Sequence, residues 1–203
     1  IRGAFVAKFN PAGTQLLAAS CFGDADGITQ AKAIALDSSG EIYVGGFTTS
    51  RELPTTANAV RSTPVTRSPT NQAFGARLNA GATALVFLTY LGGGSRGQVN
   101  SIAIGPDGSP YFAGSIENST SVDLYAPAGA YRSAPPSWND GFVLQLNPTG
   151  TAIIGGSYLG GLGDDGVTGV ALDAGGNILL TGSTKSSDFP VSPNSARPAI
   201  YNN

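Results

Sequence analysis

The chain has 203 residues, a formal net charge of -2, and 12% charged against 41% apolar residues. That composition is too apolar for a disordered chain, lacks the basic excess that holds nucleic acid, and contains no apolar run long enough to span a bilayer. With no His, no Met and a single Cys, it also excludes Ser-His-Asp and Cys-His nucleophiles, ordinary zinc centres and an internal disulfide.

In chain order, the first strand candidates are Phe5–Phe9, Gln15–Phe22, Ala31–Leu36 and Glu41–Phe47. Asn10-Pro11-Ala12-Gly13 separates the first two and Asp37-Ser38-Ser39-Gly40 the second two. Both are hairpin turns by residue type, since Gly accepts positive φ and Asn or Asp bonds the backbone locally. The set then recurs. Ile34, Ile102 and Val170 stand 68 positions apart, as do Gly46, Gly114 and Gly182. Phe5 to Asn10 returns 69 positions later as Phe74 to Asn79, and 68 later again as Phe142 to Asn147. The middle copy alters both turns, to Asn79-Ala80-Gly81 and Gly105-Pro106-Asp107-Gly108.

Three copies with almost no drift define repeat units of approximately 4–72, 73–140 and 141–203 within a single segment, 1–203. Within a strand, Ile34 and Leu36 fall on one face and Ala33 and Ala35 on the other. Large and small apolar residues so arranged suit sheets stacked on both faces. The expected class is all-β, built from three four-stranded β-propeller blades that belong to a larger ring or assembly. A β-sandwich is the alternative, and it does not require repetition.

At Ala4-Phe5-Val6-Ala7-Lys8-Phe9-Asn10-Pro11, Tyr158-Leu159-Gly160-Gly161, Asp164-Asp165, Val170-Ala171-Leu172-Asp173, Gly176-Asn177, Thr181-Gly182-Ser183-Thr184 and Asp188-Phe189-Pro190, the chain resembles the bacterial SBBP-type β-propeller repeat family. The resemblance covers nearly the whole chain and is weakest in the middle copy, where Val122-Asp123-Leu124 replaces Asp-Phe-Pro. It implies a secreted or cell-surface location and leaves activity undefined. By resemblance to related propellers, Ala31–Leu36 and Glu41–Phe47 are blade strands A and B, and the Phe5 strand and its successor are C and D. The chain then starts with a C–D pair and ends after an A–B pair. An open fan of blades exposes apolar faces that need a partner: further blades of a longer chain, or other copies of this chain.

A candidate site belongs on the end that carries the longer loops, 49–72, 116–140 and 185–203, together with 23–30, 92–100 and 160–168. Asp24 and Asp26 in one short loop, and Asp164 and Asp165 in its counterpart, offer oxygen ligands for calcium, though the middle copy has Ser95-Arg96-Gly97 there. Solvated turns account for the same residues. Trp138, Tyr125 and Tyr131, with Arg96 and Asn139 nearby, offer stacking and hydrogen bonds to a glycan or peptide; the simpler reading is that the aromatics anchor a loop. Cys21 aligns with Tyr90 and Tyr158, which marks a structural strand position. No carboxylate pair stands out as an acid/base couple. The leading expectation is a non-catalytic extracellular scaffold or assembly module making protein–protein contacts, with a carbohydrate- or peptide-binding propeller as the alternative.

Overall fold

A computed structural model describes residues 3–65, 70–92, 96–117, 129–135 and 139–196. Among them there are twelve strands and no helix, and hence no helix long and apolar enough to cross a membrane. The strands are β1 (Ala4–Phe9), β2 (Leu16–Phe22), β3 (Thr29–Leu36), β4 (Ile42–Thr48), β5 (Gln72–Leu78) and β6 (Leu85–Gly92). They continue as β7 (Arg96–Ile104), β8 (Pro110–Glu117), β9 (Asn139–Leu146), β10 (Ile153–Leu159), β11 (Asp165–Leu172) and β12 (Ile178–Thr184).

All pairing is antiparallel, in four sheets. Two are four-stranded, β3-β4-β5-β6 and β7-β8-β9-β10. The other two have two strands each, β1-β2 and β11-β12. The repeat units therefore straddle the sheets, as expected of a chain that starts with one hairpin of a unit and ends with the other.

Sheet faces stack in chain order. Val6 and Phe22 of the first hairpin share a core with Val44, Phe74 and Leu88 of the second sheet. Tyr43, Phe87 and Leu91 then pack with Phe112, Phe142 and Leu144 of the third. Ala113 and Val143 of the third sheet meet Val167 of the last hairpin. Central strands β4, β5 and β9 are buried on nearly every residue, which is why their sequences are apolar on both faces rather than alternating.

The repeat extends to local backbone detail. The third strand of each unit, β3, β7 or β11, bulges at the same point, between Ala31 and Ala33, Val99 and Ser101, and Val167 and Gly169. The extra residue pushes a backbone carbonyl towards the partner strand. A β-carbon on Gly46, Gly114 or Gly182 would collide with the carbonyl oxygen of Gln30, Gln98 or Gly166. Close backbone approach thus explains the glycine 68 positions apart.

Turn chemistry repeats as well. Asn10, Asn79 and Asn147 each use Oδ1 to accept two backbone N–H groups four and five residues on. The left-handed residue is Gly13 or Gly150, with φ of 69° in both, but Ala82 in the middle copy, with φ of 53°. Gly81, the glycine that the sequence offers there, is not the residue with positive φ. Ala82 is buried against the core, which offsets part of the cost of that conformation.

Candidate polar site at the long-loop end

The row begins with strand register. Arg96 opens β7, Glu117 closes β8 and Asn139 opens β9. Arg96 is paired opposite Glu117, and Glu117 opposite Asn139, so the three side chains share one end of one sheet. Arg96 Nε lies 3.6 Å from Glu117 Oε2. Asn139 Nδ2 donates to Asp164 Oδ1 at 3.1 Å, and Lys185 Nζ donates to Asp164 Oδ2 at 2.9 Å. The row Arg96–Glu117–Asn139–Asp164–Lys185 has a cation at each end beside a carboxylate, with the neutral amide of Asn139 between, and runs from the third sheet to the last hairpin. The ammonium of Lys185 and the amide of Asn139 hold the Asp164 carboxyl below the usual carboxylate range, and Asp164 raises Lys185 in return.

A groove of about 600 Å³ opens beside this row, lined by Thr70, Asn71, Arg96, Gln98, Ser115, Glu117 and Asn139 among others. The groove is polar and wide. Its lining offers hydroxyl, amide, carboxylate and guanidinium groups. Of the predicted residues, Arg96 and Asn139 meet here. Both sit on strand ends rather than in loops.

Asp165 has a different role from Asp164. It opens β11 and is buried, and its Oδ2 accepts the N–H of Gly161 at 2.7 Å and the Ser186 hydroxyl at 2.6 Å. Asp140 is fully buried beside it, and a β-carbon on Gly160 would strike carboxylate oxygens of both. Asp165 thus closes on the loop backbone, and Asp140 crowds the same glycine. Nothing in the sequence beyond its place beside Asn139 singles out Asp140. Its signal is the missing side chain at Gly160.

Asp24 is likewise engaged. Its Oδ1 accepts the N–H of Asp26 at 2.8 Å, and its Oδ2 accepts the Ser50 hydroxyl. Asp24 and Asp165 thus each bind a serine of the following long loop, Ser50 or Ser186. Among the described residues, no three Asp, Glu or Cys side chains group as metal ligands do.

Tyr131 is 69% exposed, with the Arg132 guanidinium 6.0 Å from its ring centroid, and it does not line the groove. Trp138 and Tyr125 lie outside the described residues. The described parts of the long loops run back along outer strands. Tyr90 donates its N–H to the carbonyl of Arg61, and Tyr158 donates its N–H to that of Arg132, each at 3.1 Å. Leu53 is buried, and its N–H donates to the Tyr90 hydroxyl at 3.0 Å. These segments cover sheet edges that would otherwise offer free backbone groups. Arg61 belongs to one of them.

The largest departure from a closed surface lies elsewhere, at the two terminal hairpins. Phe5 is 68% exposed, whereas Phe74 and Phe142, its counterparts in the full sheets, are 0% exposed. Cys21, paired opposite Phe5, is exposed, while its counterparts Tyr90 and Tyr158 are buried. Ile34 and Leu36 are 63% and 62% exposed, but Ile102 and Ile104 pack against a core.

No known protein family matches the chain, and neither does any curated protein.

Proposed function

We propose that this chain is an arc of β-propeller blades, two four-stranded sheets flanked by two hairpins, that works as a non-catalytic scaffold or assembly module through protein–protein contact. The carrying observation is the contrast between exposed Phe5 and its buried counterparts Phe74 and Phe142. One repeat position is core wherever a preceding sheet exists, and surface where none does. Phe9 and Leu179 extend the same apolar exposure over the two terminal hairpins, and Ile34 and Leu36 over strand β3 of the adjoining sheet. Such patches mark contact surfaces, because leaving them in water costs about 25 cal/mol per Å² of apolar area. A bacterial, secreted or cell-surface setting is part of this proposal, and it rests on the SBBP-type resemblance of the residues quoted above.

Cys21 supplies the test, because its thiol lies on the exposed face beside Phe5. In the intact protein as isolated in its native assembly, a thiol reagent should label Cys21 at least ten times more slowly than after dilution and mild denaturation. Labelling at the unfolded rate in the native assembly contradicts the proposal.

A further inference from the structure

We infer that the polar groove at the end of the third sheet is a binding site for a neutral saccharide unit. This goes beyond the assembly reading and does not depend on it.

Register builds the site. Arg96 and Gln98 of β7 stand opposite Glu117 and Ser115 of β8, and Glu117 stands opposite Asn139 of β9. Paired and alternate residues share a face, so all of these side chains lie on one face of the sheet. That face looks towards β11, where a β-carbon on Gly166 would lie 3.5 Å from that of Ser115. Asn71 closes one side, its carbonyl accepting the N–H of Gly97 at 2.7 Å. The groove of about 600 Å³ falls in the range of small-molecule sites.

The fold does not demand this polarity. At the positions 68 residues earlier, Ile28, Phe47 and Thr49 stand where the groove has Arg96, Ser115 and Glu117. Phe47 fills its place with a ring, and Lys32 Nζ lies 5.6 Å from that ring's centroid. Ser115 leaves the corresponding space open. At the positions 68 residues later, the charged pair is Asp164–Lys185, reversed in sign and closed at 2.9 Å. Arg96 Nε and Glu117 Oε2 stay 3.6 Å apart, beyond hydrogen-bond length, and the Arg96 side chain is 78% exposed. The pair in the groove therefore holds its groups open to a ligand.

Chemistry selects the ligand class. Arg96 only donates hydrogen bonds, Glu117 only accepts them, and the hydroxyl and amide groups do both. Sugar hydroxyls donate and accept, so one saccharide unit satisfies every group in the lining. Arg96 and Lys185 balance Glu117 and Asp164 along the row, which favours a neutral ligand over a charged one. A peptide fits less well, since peptide grooves offer pockets for side chains and the described lining contains no apolar side chain. The bonds from Asn139 to Asp164 and from Gly97 to Asn71 fix the walls in advance, which lowers the cost of binding.

Backbone-amide NMR titration of the 203-residue chain tests this, with maltose, cellobiose, lactose and chitobiose as probes. Glucuronate and a neutral glycine–serine tetrapeptide are titrated beside them. At least one disaccharide should bind with a Kd of about 1 mM or tighter and shift the amides of Gln98 and Ser115. Arg96→Gln should weaken that binding about fivefold or more, and Ser115→Phe, which installs the ring that Phe47 supplies, about tenfold or more. Ser38→Ala, at the opposite end of the sheets, should leave it unchanged. Circular dichroism checks the fold of each variant. Arg96 is exposed, so Arg96→Gln decides the comparison if Ser115→Phe fails to fold. Absence of binding by all four disaccharides at about 10 mM overturns the proposal. Binding that Arg96→Gln leaves unchanged overturns it too, as does tighter binding of glucuronate or of the tetrapeptide than of every disaccharide. None of these readouts measures the mass of an assembly, so each such failure leaves the assembly reading standing.

Discussion

The Tyr43 hydroxyl in β4 donates to the carbonyl of Gly108, 3.1 Å away, in the turn between β7 and β8 of the next sheet. Burial raises the Tyr43 phenol to about 12, opposed by the nearby Arg77 guanidinium. An unfolded phenol titrates near pH 10. Between about pH 10 and about pH 12 the unfolded chain therefore releases a proton that the folded chain keeps. Stability should fall as pH rises through that window. Tyr43→Phe should flatten this alkaline limb, and at pH 7 should cost about 1 kcal/mol for the lost hydrogen bond. Denaturant melts of both proteins at pH 7, 9 and 11 check this.

Arg77 makes a second tie between sheets. Its Nε lies 2.5 Å from Glu41 Oε2, and its Nη1 donates to the carbonyl of Pro148 at 2.8 Å. The guanidinium also stacks 5.3 Å from the centre of the Tyr43 ring. Because the side chain is largely buried, these bonds are poorly replaced by water. Arg77→Met should destabilise the chain by about 2 kcal/mol. Glu41→Gln should cost less, since Arg77 keeps its bond to Pro148. Urea denaturation midpoints distinguish the two.

The repeated glycines separate backbone crowding from backbone conformation. Gly46→Ala and Gly114→Ala place a methyl group on a carbonyl oxygen that the bulge has fixed. Each should cost about 3 kcal/mol or prevent folding. Gly13→Ala meets no neighbour within 4 Å but has φ of 69°, so it should cost about 1 kcal/mol. Gly81→Ala, with neither problem, should change stability by less than about 0.5 kcal/mol. Thermal melts of the four variants check this ranking.

Strand positions and hairpin turns were legible because turn residues and apolar positions recur together every 68 residues. Division of each unit between two sheets was legible too, through the expected C–D start and A–B end. Exposure of Ile34 and Leu36 was not visible in their local pattern, since it depends on which sheet lies in front of them. The polar row was half legible. Arg96 and Asn139 were singled out, but their meeting depends on the β7-β8-β9 register, and the sequence reading placed Arg96 in a loop. Asp165 and Asp24 read as exposed ligands because a carboxylate beside glycines looks solvated. Their bonds to Ser186 and Ser50 cross more than twenty residues of chain. The adjoining loops were read as one decorated end, yet much of their described length covers strands β6 and β10.

The apolar terminal hairpins are the centre of the account, and solution mass tests them most directly. The 203-residue chain should sediment or weigh as multiples of 20.4 kDa at micromolar concentration. Phe5→Glu, which alters an exposed residue, should return it to a folded species of 20.4 kDa with unchanged circular dichroism. A folded wild-type chain that stays at 20.4 kDa across the whole accessible concentration range contradicts the account.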